Sequence, residues 1–220
     1  MVEEVRILCY PPFLLGGINM PVLSIIITNY NKEIFLPFLF KILNKQYDNQ
    51  VELVIIDDNS DDISLLEEYD KQCPFSHQII YNTKNLGIGA VRQIGLAAAT
   101  GQYITFIDGD DWIAFDYIKT IMKIISLYPD ENVIQFSYLI YPTGDICNDI
   151  DDTMVWNKIY KADFLKKYNI TFENKRGGED YLFNEKIRKY CQNWKIYMCE
   201  KPIYVYTMVD PNSLSHTGLF

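Results

Sequence analysis

Carboxylates cluster at the end of one short apolar run, in residues 102–113, which read Gln-Tyr-Ile-Thr-Phe-Ile-Asp-Gly-Asp-Asp-Trp-Ile. Residues 103–107 are apolar or β-branched, a pattern typical of a buried strand. Asp108, Asp110 and Asp111 follow where that strand ends. Neighbouring carboxylates repel one another, so such a cluster usually binds a cation, and its oxygens suit Mg²⁺ or Mn²⁺ together with substrate phosphates. An acidic turn explains the motif equally well, because Asp and Gly are common turn residues.

Two further polar clusters follow earlier runs of apolar, β-branched residues. The run at 22–28 leads into Asn-Tyr-Asn-Lys, and the run at 51–56 leads into Asp-Asp-Asn-Ser-Asp-Asp. In a parallel sheet these strand ends share one edge, and ligands of open α/β sheets bind there. The three clusters therefore predict a nucleotide site along that edge, with Asp58 bonded to the base or ribose. The alternative for the second cluster is helix capping by Asn59 or Ser60.

The stretch Gly-Ile-Gly-Ala-Val-Arg at 87–92 is close to the dinucleotide-binding pattern G-x-G-x-x-G, and Asp108 lies near the offset of its ribose-binding acid. The match is weak, because Arg92 stands where the last glycine belongs and the stretch follows the third strand. Arg92 near a helix N-terminus favours phosphate binding instead. Its alternative is a surface salt bridge to one of the many carboxylates.

A second carboxylate pair, Glu179 and Asp180, follows two glycines and begins a predicted helix. The helix dipole favours acidic residues in a first turn, which is one explanation of the pair. The other is a general base that accepts the proton of an acceptor hydroxyl. His216 is either an exposed histidine or a further ligand of a Mn²⁺-type ion, which imidazole binds well.

Strands and helices alternate along the part of the chain that carries these groups. Apolar and β-branched runs predict strands at 22–28, 51–56, 78–81, 103–107, 132–138, 195–199 and 203–207. Apolar residues at helical spacing predict helices at 33–46, 63–71, 90–99, 115–127, 163–168 and 179–191. This order implies an α/β fold with a Rossmann-like, mainly parallel central sheet flanked by helices.

The chain contains no linker that would divide it into independent domains. We expect residues 22–111 to form a nucleotide-binding half, and residues 112–220 to form the acceptor-binding and catalytic half of the same domain. Residues 1–21 are interpreted as a leader arm of unknown role. Residues 141–153 are polar and acidic, which favours a mobile loop or a lid.

Composition excludes several classes of protein. The formal net charge of −9 argues against a nucleic-acid partner and against an electrostatic attachment to acidic lipid. The 5 cysteines are scattered without C-x-x-C spacing, which indicates neither a zinc site nor a disulfide framework and fits a reducing cytoplasm. The apolar run at 7–18 is interrupted by Pro and Gly, so we expect neither a membrane span nor a signal peptide there.

Together, the motifs resemble the family 2 glycosyltransferases of the GT-A fold. The matching stretches are Ser-Ile-Ile-Ile-Thr-Asn-Tyr-Asn at 24–31, Val-Ile-Ile-Asp-Asp-Asn-Ser at 54–60, Asn-Leu-Gly-Ile-Gly-Ala-Val-Arg at 85–92, Phe-Ile-Asp-Gly-Asp-Asp-Trp at 106–112 and Gly-Glu-Asp at 178–180. Their order and spacing also match those of the family. Thr28 and Asn59 depart from it, since many members carry Pro and Gly at those positions.

The resemblance implies that six residues bind the donor, namely Thr28, Tyr30, Asp58, Asn85, Arg92 and Asp108. Thr28 and Tyr30 would line the base pocket, and Asp58 would bind the base. Asn85 and Arg92 would lie near the base and the diphosphate, and Asp108 would approach the ribose. The expected donor is a nucleotide-sugar, most often a UDP-sugar.

A divalent metal and a catalytic base are also implied by the resemblance. Asp110 would hold Mn²⁺ or Mg²⁺, with Asp111 beside it and His216 as a further ligand. Asp180 would be the catalytic base, and Glu179 would support it.

The reaction implied is an inverting transfer of a sugar to the hydroxyl of a glycan or lipid-linked acceptor, which Trp156 and the loop before it would face. The expected setting is surface polysaccharide or glycoconjugate synthesis in the cytoplasm, with peripheral association at the inner face of the membrane left open. Two alternatives remain: a nucleotidyltransferase and a catalytically silent nucleotide-sugar-binding module. The sequence makes no prediction of the oligomeric state.

Overall fold

The structure, a computed structural model, describes the backbone of residues 6–9 and the whole of residues 20–149, 152–175, 177–191 and 194–209. The strands in these ranges are β1 (Arg6–Cys9), β2 (Leu23–Asn29), β3 (Val51–Asp57), β4 (Ser76–Tyr81), β5 (Tyr103–Asp108), β6 (Trp112–Ile113), β7 (Val133–Phe136), β8 (Tyr138–Tyr141), β9 (Ile146–Cys147), β10 (Lys158–Lys161), β11 (Lys195–Tyr197) and β12 (Tyr204–Thr207). The helices are α1 (Leu36–Asn44), α2 (Ser64–Gln72), α3 (Ile88–Ala98), α4 (Tyr117–Leu127), α5 (Ala162–Lys167) and α6 (Glu179–Arg188).

The larger of two sheets has its strands in the order β1-β4-β3-β2-β5-β10-β7-β11. Its centre is parallel, because β2 pairs with β3 on one side and with β5 on the other, and β3 pairs with β4. β10 is antiparallel to β5 and β7, and β1 is antiparallel to β4. The smaller sheet has the order β6-β12-β8-β9. The predicted α/β fold with a mainly parallel central sheet is confirmed.

Helices cover the central strands, and every residue of β2 and β3 is buried, as expected for a parallel sheet between helices. Helix α3 approaches these two strands closely because Gly95 has no side chain. A Cβ atom there would lie 2.4 Å from Cγ2 of Ile26 and 2.8 Å from Cδ1 of Ile56. The parallel pairing brings the carboxyl ends of β2, β3 and β5, and the polar clusters that follow them, to one edge.

Three local features differ from the sequence-based expectations. The predicted leader arm contains an edge strand, β1, which pairs with β4. The polar stretch 141–153 contains a short strand, β9, which pairs antiparallel with β8, and residues 150 and 151 lie outside the described residues. Neither Asn59 nor Ser60 caps α2, whose N-cap is Ile63 without a side-chain bond. Asn59 instead has φ of 66°, a left-handed conformation that Asn tolerates in place of Gly.

None of the helices in the described ranges is both long enough and apolar enough to cross a membrane. The cysteines whose side chains the structure describes, Cys73, Cys147, Cys191 and Cys199, form no disulfide bonds with one another.

Candidate active site

The carboxyl ends of β2, β3 and β5 bring the predicted polar clusters together. In the sheet register Thr28 lies opposite Asp108, and Asn29 lies opposite Asp57. The Thr28 hydroxyl donates to Asp108 Oδ1 at 3.0 Å. Gly109 follows directly, and its N–H donates to the Thr28 carbonyl at 2.9 Å. A Cβ atom at Gly109 would lie 2.7 Å from that same oxygen, so the glycine of the acidic motif permits the close approach of two strand ends.

Arg92 is the centre of the site and contacts three carboxylates from two elements. Its Nη2 donates to the two carboxylate oxygens of Asp108, at 3.0 and 2.9 Å. Its Nη1 donates to Glu179 Oε1 at 2.6 Å and also to Asp180 Oδ1. Only 3% of Arg92 is exposed, so the alternative of a surface salt bridge is wrong. A buried guanidinium joins the predicted donor-side carboxylate to the predicted base.

Burial and charge act against each other in this cluster. Burial disfavours the charged guanidinium, but Asp108, Asp180 and Glu179 together raise the pKa of Arg92 above its usual value. Burial also raises the pKa of Asp180 to about 7, and Arg92 opposes that effect. Glu179 and Asp108 raise the Asp180 pKa further, because like charges disfavour ionisation. A carboxylate with a pKa near neutral is suited to general base catalysis.

The first turn of α6 positions the Glu–Asp pair. Gly178, at its N-cap, has φ of 71°, a left-handed conformation that favours glycine. Asp180 Oδ2 accepts from the Val155 N–H at 3.3 Å. Asn184, one turn later, donates to the carbonyls of Thr153 at 2.5 Å and Asp180 at 3.0 Å. The predicted base is therefore fixed to the segment that precedes β10.

A second ion pair at the same edge joins Lys32 and Asp110. Lys32 Nζ lies 2.8 Å from Asp110 Oδ2, and the two side chains are 15% and 13% exposed. Burial raises the pKa of Asp110, and Lys32 opposes this shift. Sequence reasoning missed Lys32, although it lies in the polar turn after the first strand. The only signal was that position, because the pairing depends on how the turn folds.

Asp111 has a structural environment that argues against its predicted metal-binding role. It is 1% exposed, and burial together with Asp110 and Asp108 raises its pKa well above the usual value. Its Oδ2 accepts from the Tyr204 hydroxyl at 2.7 Å, and its Oδ1 accepts from the Thr207 N–H at 2.7 Å. Both oxygens of the carboxylate thus attach β12 to the end of β5.

The metal prediction therefore rests on Asp110. His216 lies outside the described residues. Among the residues that the structure does describe, no group of three or more His, Cys, Asp or Glu side chains is placed to hold an ion. A single carboxylate is nevertheless enough for Mg²⁺ or Mn²⁺ when substrate phosphates supply other ligands. Asp110 fits a metal on that condition, that is, together with a phosphorylated ligand.

Asp58 is hydrogen-bonded to its own neighbourhood. It is 3% exposed. Its Oδ1 accepts from Asn82 Nδ2 at 2.8 Å and from the Leu86 N–H at 2.9 Å, and its Oδ2 accepts from the Gly87 N–H at 2.8 Å. Asp58 thus fixes the loop that carries the half-buried Asn85. A direct contact of either residue with a base stays a prediction.

The glycines of the dinucleotide-like stretch have packing roles. Gly87 has φ of 89° and donates its N–H to Asp58. At Gly89, a Cβ atom would lie 2.2 Å from the carbonyl oxygen of Glu173 and 2.9 Å from that of Lys175. Gly89 therefore lets the start of α3 pack against the segment before α6, which brings the arginine of α3 to the carboxylates of α6.

Two predicted aromatic contacts differ in exposure. Tyr30, just after β2, is 45% exposed and accessible to a ligand at the sheet edge. Trp156 is 2% exposed, and it stacks on Tyr204 and Tyr206 with ring centroids 4.6 and 5.4 Å apart. The expectation that Trp156 faces an acceptor is wrong, because its ring lies within this aromatic stack.

The buried Lys158 was not predicted from the sequence to have any role in the site. Lys158 is 0% exposed, and burial lowers its pKa to about 8. Its Nζ donates to the Asp152 carbonyl and to Asn157 Oδ1, both at 3.0 Å, which holds the segment that contacts Asp180. No signal could have found it, since lysine is almost always exposed.

The site also contains an unsatisfied donor. Arg92 Nε is buried and has no hydrogen-bond partner among the residues that the structure describes. An unpaired buried donor is costly, by about 1–3 kcal/mol. An oxygen of a bound anion would accept a hydrogen bond from this Nε. Arg92 could therefore bind a phosphorylated ligand while it keeps its contacts with the three carboxylates.

The family model described as "Glycosyl transferase family 2" matches residues 24–196, which include every motif quoted above. The chain belongs to glycosyl transferase family 2. Glycosyltransferase GlyA of Streptococcus pneumoniae is 29% identical in an alignment that covers 84% of this chain and 30% of that protein. A β-1,3-glucosyltransferase of Campylobacter jejuni, named for GalNAc(5)-diNAcBac-PP-undecaprenol, is 26% identical and covers 76% of this chain and 58% of its own length.

Solved structures confirm the GT-A fold of this family 2 glycosyltransferase. S. aureus TarS in complex with UDP-GlcNAc has a TM-score of 0.75 at 21% identity, over 90% of this chain and 61% of that one. The mannosyltransferase PcManGT from Pyrobaculum calidifontis, in complex with GDP-Man and Mn²⁺, has a TM-score of 0.63 at 18% identity, over 89% of this chain and 60% of that one. The chain thus spans less than two thirds of each of these relatives and neighbours.

Proposed function

We propose that this family 2 glycosyltransferase moves a sugar from a UDP-sugar to a hydroxyl of a glycan or lipid-linked acceptor, with inversion at the anomeric carbon. The observation that carries the proposal is the buried Arg92, which contacts Asp108 on one side and Asp180 on the other. This contact supports the proposal, because it joins Asp108 at the end of β5 and Asp180 of α6 in one cluster. The UDP-GlcNAc of the TarS complex and the undecaprenol-linked name of the Campylobacter relative support the choice of donor and acceptor.

The donor would lie along the carboxyl edge of the sheet. The exposed ring of Tyr30 offers a face for the base, and Thr28 would line the same pocket. Asp108, which accepts from the Thr28 hydroxyl, would approach the ribose. The unpartnered Nε of Arg92 would donate to a diphosphate oxygen. The loop fixed by Asp58, which carries Asn85, would close the base side of the site.

The chemical step assigns one proton transfer to this chain. Asp180, as a carboxylate, accepts the proton of the acceptor hydroxyl. The hydroxyl oxygen forms a bond to the anomeric carbon as the bond from that carbon to the phosphate oxygen breaks, and the nucleoside diphosphate leaves with the electron pair. Glu179 supports the base through Arg92, because both carboxylates bind its Nη1.

A Mn²⁺ or Mg²⁺ ion on Asp110 and the diphosphate would neutralise charge on the leaving group. His216 stays a prediction for that ion. We further infer that the enzyme acts in surface polysaccharide or glycoconjugate synthesis at the cytoplasmic face of the membrane, where a lipid-linked acceptor would be presented.

The test is donor hydrolysis and donor binding, since neither needs the acceptor. We expect purified protein with Mn²⁺ to release UDP slowly from one of UDP-GlcNAc, UDP-glucose or UDP-galactose. Asp180→Asn should lower that rate about 10²–10⁴-fold, the usual contribution of a general base, while UDP affinity measured by calorimetry stays within about threefold of wild type. Asp163→Asn is the matched control, because Asp163 is an exposed aspartate in the first turn of α5.

The outcomes separate the alternatives. Wild-type turnover in Asp180→Asn would overturn the base assignment. Pyrophosphate exchange with a nucleoside triphosphate would indicate a nucleotidyltransferase. Binding of UDP-sugars without any turnover would indicate a silent binding module.

A further inference from the structure

The contact between Lys32 and Asp110 places a protein cation where the proposed metal ligand lies. Lys32 Nζ is 2.8 Å from Asp110 Oδ2, and both side chains are mostly buried, at 15% and 13% exposure. Lys32 comes from the turn after β2, and Asp110 from the turn after β5, which are neighbouring parallel strands. The pair therefore bridges the edge along which the donor diphosphate would lie.

The other carboxylates of the edge do not share this cation in the contacts described. Asp108, Glu179 and Asp180 all contact Arg92. Asp111 accepts from the neutral donors of Tyr204 and Thr207. Of these carboxylates, Asp110 is the one that lies in direct contact with Lys32.

A lysine ammonium and a divalent ion on the same carboxylate oxygen exclude each other. Lysine suits an exchangeable role, because its ammonium is a compact charge on a flexible stem. Arg92 differs, since it is bidentate to Asp108 and held by three carboxylates. A donor diphosphate brings negative charge to the edge, which gives the Lys32 ammonium a second anionic partner.

We propose that Lys32 is an exchangeable counter-cation of Asp110: the donor diphosphate draws the ammonium away from Asp110, and the divalent ion then binds Asp110 together with the donor. This inference rests on the proposed donor. It predicts that Mn²⁺ binds the donor-free protein only weakly, since Lys32 then contacts Asp110. Lys32 is a positioning residue in the metal site and a binding residue for the diphosphate.

Two opposite effects follow from this role. Without donor, Lys32 competes with the metal, so Lys32→Met should bind Mn²⁺ more tightly than wild type. Without metal, Lys32 attracts the diphosphate, so Lys32→Met should bind UDP more weakly. The coupling between the two ligands, which is reciprocal by thermodynamic linkage, should therefore be smaller in Lys32→Met.

Calorimetry on the whole chain tests both signs. Mn²⁺ is titrated into donor-free protein, and UDP is titrated into protein in EDTA. We expect Lys32→Met to tighten Mn²⁺ binding about tenfold and to weaken UDP binding about tenfold, within the usual range of coupling between sites. Lys32→Arg, which keeps the charge, should stay near wild type in the UDP titration. Lys119→Met is the matched control, because Lys119 is an exposed lysine on α4.

Each result decides between named explanations. Opposite shifts in Lys32→Met, with Lys119→Met unchanged, support the exchange. Mn²⁺ affinity unchanged in Lys32→Met, with normal UDP binding by wild type, overturns it and leaves the proposed function intact. A failure of wild type to bind UDP or any UDP-sugar overturns the proposed donor, and the role of Lys32 with it. Losses of both affinities in Lys32→Met and in Lys32→Arg would show a merely structural role and overturn the exchange.

Discussion

Two cations lie at the same edge of the central sheet, and the protein holds them differently. Arg92 is 3% exposed and contacts carboxylates from both β5 and α6. Lys32 contacts Asp110, and 15% of its side chain is exposed. Asp108 and Asp110 belong to one acidic motif, yet their environments differ. Asp108 belongs to the buried Arg92 network, and Asp110 forms an ion pair with Lys32. The comparison indicates that the Arg92 side is a fixed part of the fold and the Lys32 side is open to exchange.

The largest expected effect is on stability, and it separates the two sides directly. Arg92→Met leaves three carboxylates in the interior without their cation, so we expect the free energy of unfolding to fall by about 3–5 kcal/mol. Lys32→Met should lower it less, by about 1–3 kcal/mol, because it leaves one mostly buried carboxylate without its cation instead of three. Urea unfolding followed by circular dichroism measures both, and equal losses would remove the distinction.

The Arg92→Met loss should also depend on pH. Arg92 opposes the effect of burial on Asp180, so without the guanidinium the pKa of that carboxyl should rise further above its value in the unfolded chain. Groups of that kind contribute stability at low pH, which is lost as the pH rises through their folded-state pKa. We therefore expect the difference from wild type to be larger at pH 8 than at pH 5. A loss that does not vary with pH would point to packing instead.

A smaller loss of stability is expected from Gly89→Ala, which removes no charged group. Gly89→Ala places a Cβ atom 2.2 Å from the Glu173 carbonyl oxygen, so α3 and the segment before α6 must move apart. Overpacking of this kind costs about 1–3 kcal/mol. The movement should also lower donor hydrolysis, because it separates the arginine of α3 from the carboxylates of α6. Ala97→Ser, at an exposed position of the same helix, is the control and should change neither measurement.

The pH dependence of donor hydrolysis tests whether Asp180, which contacts Arg92, is the general base. Burial raises the pKa of Asp180 to about 7, and a general base works in its ionised form. The rate of donor hydrolysis should therefore fall about tenfold per pH unit below that value and level off above it. Glu179 adds to the shift, so Glu179→Gln should move the fall to lower pH. An unmoved profile in Glu179→Gln would show that another group titrates.

The smallest effect is expected on the Lys32 side. Asp110→Asn should change the free energy of unfolding by only about 1 kcal/mol, because burial, which raises the pKa of Asp110, offsets much of its attraction to Lys32. It should nevertheless abolish the increase in UDP affinity that Mn²⁺ produces in wild type, measured by calorimetry. Persistence of that increase in Asp110→Asn would place the ion elsewhere.

The sequence by itself determined the parallel centre of the sheet and the residues at its edge. Runs such as 22–28 and 51–56 are β-branched and continuous, which is typical of strands buried on both faces, and the structure has β2 and β3 there. Parallel pairing then required Asp58 and Asp108 to lie at one edge. The acidic and glycine-containing motifs resembled the correct family because they are local in the chain.

Only the tertiary structure decided what each of those residues contacts. Asp108 and Asp111 are three positions apart, yet the first binds Arg92 and the second attaches β12. Trp156 is buried because β12 supplies the rings beside it. Lys32 meets Asp110 because β2 and β5 are neighbours. The physical reason is the same in each case. The partner of a side chain comes from a segment distant in the sequence, so the type and position of one residue do not predict which segment that is.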